Sequence, residues 1–300
     1  MLLRGNRTVI DGFLLVDKDG GWTSHDVVAK ARSLFGQKKI GHAGTLDPMA
    51  TGLLVLGLGR ATRAIRYVQG ASKTYLATAQ FGVATDTLDA DGAVLSRSPM
   101  EFEESDFHAV VPRFIGDIMQ VPPMVSALKI DGRRLYELAR EGKEVERKAR
   151  PVRIDRIEVL EFAPGMYPEV TFEVDCGSGT YIRTLAADLG RALGGSAHLT
   201  GLRRTRIGAL RVADAHRLDP LASIDPIEGA IVSMRNVLLQ ELPEVRVDGG
   251  TALGVRNGRP LPADLAPAPD APFCVTDTEG RLLAVYSSDG ARSRPEVVFP

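Results

Sequence analysis

The run Gly41-His42-Ala43-Gly44-Thr45-Leu46-Asp47-Pro48-Met49-Ala50-Thr51-Gly52 holds one carboxylate, one imidazole and two hydroxyls in a segment punctuated by glycine. Glycine lets a backbone approach a ligand closely. Pro48 fixes its own φ and biases Asp47 towards an extended conformation, which restrains the carboxylate. A restrained carboxylate can attack or stabilise an electron-poor centre. The run lacks the GxxxxGK[ST] spacing of a phosphate-cradling loop. Taken alone, Leu46-Asp47-Pro48 is more often a turn than an active site.

The elements around this run are legible from periodicity. Gly12 to Lys18 reads as a strand, and Asp19-Gly20-Gly21 as a turn. Thr23 or Ser24 can cap a helix that buries Val27, Val28, Ala31, Leu34 and Phe35 and ends at Gly36. From Lys73 to Val83 the side chains alternate, with Tyr75, Ala77, Ala79 and Phe81 on one side of a half-buried strand. Ser105 is positioned to cap a second helix through Ile115, and Val125 to Ile130 reads as a strand turning at Asp131-Gly132. A helix over 134–141, strands over 152–162 and 170–176, and a helix over 181–193 follow. In the last of these Ile182, Leu185, Ala186 and Leu189 face inward. No regular βαβ beat runs through the chain, so the expected class is α+β, a mixed and mostly antiparallel sheet. Composition changes near Leu242-Pro243. Residues 1–240 are expected to form the larger domain and 241–300 a small β module, with 260–272 as a loop.

Bulk properties narrow the classes of function. In 300 residues, 44% hydrophobic and 25% charged, there is room for a sizeable core in an ordinary globular composition. No apolar run approaches the roughly 20 residues that span a bilayer, and the N-terminus has no long apolar signal region. Cys176 and Cys274 are distant and have no CxxC partner, so no metal site is expected and a reducing, cytoplasmic setting is. The net charge of −1 hides an uneven distribution: ten basic against six acidic residues lie between Leu128 and Arg156, and five arginines against Asp214 between Gly201 and Arg217. Such segments can meet a phosphate backbone, although charge alone favours solvated surface helices.

The Gly41–Gly52 run resembles the signature loop of the TruB-type tRNA pseudouridine synthases. Further blocks resemble that family in its order: 12–18 with 21–24, Lys73-Thr-Tyr75-Leu-Ala77, 122–129, 132–137, 177–185 and 199–205. They span roughly the first 210 residues. One departure is Asp19, where the family usually has proline after the first lysine. The resemblance implies a pseudouridine synthase core with a PUA-like, RNA-binding C-terminal module. It implies isomerisation of uridine 55 in the T-loop of tRNA, without cofactor or metal, after the base has been flipped out.

By the same resemblance Asp47 is the catalytic carboxylate, Arg183 the cation that orients it and keeps it ionised, and Tyr75 the ring that stacks on the base. An arginine at a helix start sits badly with the helix dipole, which independently suggests a specific partner. His42 is expected to prop the space the base leaves, Tyr181 and Leu202 to line the site, and Lys18, Lys129 and Arg203 to contact phosphate or the site wall. Whether Asp47 attacks C1′, attacks C6 or assists elimination to a glycal stays open. So does a secondary tRNA-folding role, since the basic segments serve binding as well as catalysis. A glycoside hydrolase would need a second carboxylate, and the stretch Asp86 to Asp91 reads as a surface loop. Nothing resembles partner-binding tails, so a stand-alone monomer acting on the T-arm of tRNA, without membrane or obligatory protein partner, is the expectation.

Overall fold

The computed structural model describes residues 9–126, 128–130, 132–143, 145–221 and 227–299. In chain order the strands of the larger body are β1 (Gly12–Lys18), β2 (Ile40–His42), β3 (Thr51–Leu58), β4 (Lys73–Phe81), β5 (Val83–Thr85), β6 (Val94–Arg97), β7 (Gly116–Gln120), β8 (Lys129–Ile130), β9 (Arg133–Arg134), β10 (Arg150–Ala163), β11 (Glu169–Cys176), β12 (Ala197–Ile207), β13 (Leu210–Arg211) and β14 (Ile231–Val232). One sheet runs β14-β1-β3-β12-β4-β11-β10-β7, with β2 added to β3 and β13 to β12. Its ladders are antiparallel except for the seam between β3 and β12, where Thr51 pairs with Arg203 and Gly52 with Arg204. The pairs β5–β6 and β8–β9 form separate hairpins.

The helices follow the predicted stripes. Thr23 caps Ser24–Phe35: its hydroxyl accepts from the Asp26 amide while Asp26 accepts from the Thr23 amide, and Gly36 closes the helix at φ 60°. Val27, Val28, Ala31 and Phe35 go inward. The helix Ile182–Ala192 lays Leu185, Ala186 and Leu189 into the same core as Ala77, Ala79 and Phe81 of β4.

Two local expectations are revised. The second helix starts at Glu104 on a reciprocal Glu103/Asp106 box, not on Ser105, and Pro112 lies in a 3-10 turn that ends the element. Of the described residues in 125–130, Lys129–Ile130 is strand and the others are not.

A second sheet, β15-β17-β18-β19-β16, is built from β15 (Glu244–Arg246), β16 (Leu261–Pro262), β17 (Pro272–Thr276), β18 (Leu282–Ser288) and β19 (Arg292–Val298). Asp248-Gly249-Gly250 opens a helix over Gly249–Arg256, because the Asp248 carboxylate accepts from the Thr251 amide and caps it. Alternate residues of this sheet are buried on both faces. Phe273, Val275, Ala284 and Tyr286 pack towards that helix. Cys274, Val285, Val297 and Phe299 join Val237, Leu238 and residues of β1 and β3 in one cluster.

Both cysteines are free and buried. No helix among the described residues is long and apolar enough to cross a membrane, and they contain no group of His, Cys, Asp and Glu suited to a metal.

Candidate active site

The run between β2 and β3 is fixed residue by residue. Ser24, fully buried on the first helix, accepts from the Leu46 amide at 2.9 Å and donates to the Leu46 carbonyl at 3.2 Å. Arg204 donates to the carbonyls of Gly44 at 3.1 Å, Thr45 at 3.4 Å and Leu53 at 2.7 Å. Lys18, only 1% exposed, points its ammonium at the carbonyls of Asp19, Trp22 and Pro48. The Gly21 amide also binds the Pro48 carbonyl, at 2.8 Å. Gly52 allows the strand to start here: at φ +97° a Cβ would stand 2.3 Å from the Arg204 carbonyl oxygen. Together these contacts leave the Asp47 backbone little freedom.

Asp47 meets Arg183 side-on, with Nε to Oδ2 and Nη2 to Oδ1 both at 3.0 Å. The guanidinium is 3% exposed. It also donates to the carbonyls of Thr87 at 2.8 Å and Val125 at 2.7 Å, and pairs with Asp89 at 3.1 Å. Hydrogen bonds run from Nη1 to Thr87 and from Nη2 to Asp47 and Val125, while Nε to Asp47 and Nη1 to Asp89 are ion-pair contacts. Burial pushes the Asp47 carboxyl above its ordinary range; Arg183 pulls it down and the nearby Asp89 pushes it up again. Burial likewise lowers the Lys18 ammonium to about 8, against the pull of Asp47 and Asp19.

These residues open on a cleft of about 610 Å³ whose wall includes Asp47, Tyr75, Tyr181, Arg183, Leu202 and Arg204. That volume suits a small-molecule or nucleotide ligand. Asp47 is the one acidic side chain on the wall among the described residues, and a third of it remains exposed. Tyr75 is 7% exposed; burial pushes its phenol up and Arg204 pulls it down. Tyr181 precedes the Ile182–Ala192 helix, its amide and carbonyl both held by the Gln120 side chain.

The structure thus brings together Asp47, Tyr75, Arg183, Tyr181 and Leu202. It sorts the remaining expected residues differently. Lys18 has its three donors on carbonyls, which makes it a brace of the loop and not a phosphate contact. Arg203 faces away from the cleft and is held bidentate by Asp17 at 2.8–2.9 Å. On a strand, the period that puts Leu202 on the wall puts Arg204 there and Arg203 on the opposite face, and this parity was readable from the sequence. His42 stands on β2, its ring edge-on to His25 at 5.4 Å, outside the cleft wall. The Lys129 side chain lies outside the described residues. Asp89 is the residue that sequence reasoning missed. The supposed surface loop turns inward there, Leu199 donates its amide to the Leu88 carbonyl, and Asp89 is 4% exposed. Leu88, at φ 64°, makes that turn without glycine, so composition gave no signal for it.

The model of the TruB family pseudouridylate synthase N-terminal domain matches residues 32–182, and that of the tRNA pseudouridylate synthase B C-terminal domain matches 183–238. The chain is 45% identical over 294 residues to tRNA pseudouridine synthase B of Mycobacteroides abscessus, covering 96% of each. To the protein of that name from an Arthrobacter species it is 42% identical over 299 residues, covering 97% of each. Among solved structures, a crystal structure of a Cbf5–Nop10–Gar1 complex superposes with TM-score 0.75 at 26% identity, over 96% of this chain and 84% of that one. In sequence along almost its whole length, and in its fold, the chain belongs to the TruB family of pseudouridylate synthases.

Proposed function

We propose that this protein isomerises uridine 55 in the T-loop of tRNA to pseudouridine, with Asp47 as the catalytic carboxylate. The observation that carries the proposal is the pairing of Asp47, partly exposed on the cleft wall, with a buried Arg183 that two backbone carbonyls and Asp89 also hold. The similarity to curated tRNA pseudouridine synthases B supports tRNA as the substrate.

The reaction breaks N1–C1′, turns the uracil and joins C5 to C1′; C5 loses a proton and N1 gains one, with no redox step. The base has to leave its stack to enter the cleft. Tyr75 offers it a ring, with stacking worth about 1–3 kcal/mol, and Leu202 an apolar wall. Asp47 then meets the electron-poor centre that forms as N1–C1′ breaks. Arg183 keeps it ionised and aimed, so little reorganisation is left for the transition state. His42, half-buried beside the Asp47 run, is proposed to prop the vacated stack.

The test is to incubate wild type and Asp47→Asn with unmodified tRNA, map pseudouridine by carbodiimide modification and primer extension, and measure tRNA binding in parallel. Modification at the T-loop by wild type only, with binding by both, is the expected result. Binding without pseudouridine in any substrate tried removes the enzymatic reading and leaves an RNA-folding role in its place.

A further inference from the structure

Residues 241–300 hold nine acidic side chains against six arginines and no lysine. Four of the arginines lie against carboxylates of the same segment: Arg246 at 3.8 Å, Arg256 at 3.5 Å, Arg281 at 2.7 Å and Arg294 at 3.5 Å. A phosphate backbone is neutralised by clustered cations, and a net-negative module with paired arginines is poorly suited to that.

The same module touches the cleft. The helix Ile65–Gly70 supplies Arg66, Gln69 and Gly70 to the cleft wall. On β19, Glu296 Oε2 accepts from Arg66 Nη2 at 2.5 Å and from the Tyr67 hydroxyl at 2.7 Å. Arg66 Nη2 donates to that hydroxyl at 2.7 Å, and the guanidinium carbon lies 4.8 Å from the centre of the Tyr67 ring. Two residues on, the Val298 carbonyl accepts from Arg63 at 2.9 Å. The Arg66–Glu296 pair is half exposed and adds little to stability. Its effect is directional. The three polar atoms close a triangle that fixes one end of a five-donor fork on the cleft wall.

We propose that Glu296 is a positioning residue: through Arg66 and Tyr67 it holds a guanidinium on the cleft rim for the RNA backbone next to the reacting nucleotide. The C-terminal module then serves the reaction by bracing the rim and not by gripping RNA itself. This rests on the reading of the cleft as an RNA site.

The experiment compares wild type, Glu296→Gln, Arg66→Gln, the double variant and Tyr67→Phe, on whole tRNA and on an isolated T-arm stem-loop. It records KM, the saturated single-turnover rate and the equilibrium Kd for each RNA. Glu296→Gln and Arg66→Gln are each expected to raise KM and Kd by about 5–10-fold while the saturated rate stays within about 2-fold. The double variant is expected to be no worse than Arg66→Gln, and Tyr67→Phe to show a smaller rise. All defects should be equal on the two RNAs. Additive losses in the double variant, a wild-type KM in Glu296→Gln, or a defect seen on whole tRNA and absent on the stem-loop each overturn the proposal; the last would mean that the module contacts RNA directly. If Glu296→Gln does not fold, Tyr67→Phe decides, and a wild-type KM there overturns it. If wild type makes no pseudouridine, the enzymatic reading fails instead, and the Kd values still decide the role of Glu296.

Discussion

A partly exposed Asp47, a buried Asp89 and one guanidinium sum to a charge of −1 beside the cleft, and Arg183 is what makes this tolerable. Arg183→Met leaves both acids without their cation. It should lower unfolding stability by about 3–5 kcal/mol near neutral pH, less at acid pH, where Asp47 is protonated and costs little to bury. Urea titrations at two pH values check both parts. Asp89 adds to the upward push that burial gives Asp47. Because the Asp47 carboxyl titrates above its ordinary range, its ionised form is lost early on acidification, and the single-turnover rate should fall on the acid side. Asp89→Asn removes one upward push, so the acid limb should move to lower pH. An unmoved or rising limb counts against the shared guanidinium. The sequence displayed Asp47, Tyr75 and Arg183 through their motifs. It concealed Asp89, because an acidic run reads as solvated until Leu199 on a distant strand is seen to cover it.

At the level of elements, the Gly41–Gly52 run is rigid because four parts of the chain hold it: Ser24 on a helix, Lys18 on β1, Arg183 at a helix start and Arg204 on β12. The Lys18 ammonium, lowered to about 8, loses a proton and one donor above that pH. The rate should therefore fall on the alkaline side of about pH 8. Stability should not fall for this reason: the folded pKa lies below that of the unfolded chain, so between about pH 8 and 10.5 the group favours the fold as pH rises. The single tryptophan, whose carbonyl takes one of those donors, offers a fluorescence signal to follow the loosening. Gly52→Ala meets both a positive φ and the Arg204 backbone. A loss of about 3 kcal/mol or more, seen as a lower urea midpoint, is expected. A variant as stable as wild type would mean that β3 and β12 are not in backbone contact there. Periodicity located most of these elements in the sequence. It could not show that an expected phosphate ligand, Lys18, faces inward, since three converging carbonyls are a property of the folded loop.

Across the whole molecule the two sheets share apolar surface. Phe299, Val297 and Val285 pack with Val237, Leu238, Phe13 and Leu53, so the module completes the core of the body. Phe299→Ala should cost about 3–5 kcal/mol and lower one common melting transition; calorimetry showing the module melting alone, with the body unchanged, would refute that coupling. The first strand of the second sheet starts at Glu244, just past the change in composition near Leu242. That change did not reveal that both faces of that sheet are covered, because alternation shows two faces but not what lies against each. The seam of β3 with β12 bears on the order of folding. It pairs Thr51 with Arg203 across some 150 residues of chain, and such distant pairings form late because the loop they close is long. The anchors of the Asp47 run are split across that seam, Lys18 and Ser24 on one side, Arg183 and Arg204 on the other. A newly made chain can therefore acquire helices, hairpins and much of its core while still inert. During refolding, turnover should return with the slowest phase, making activity itself a clock for the last event of assembly.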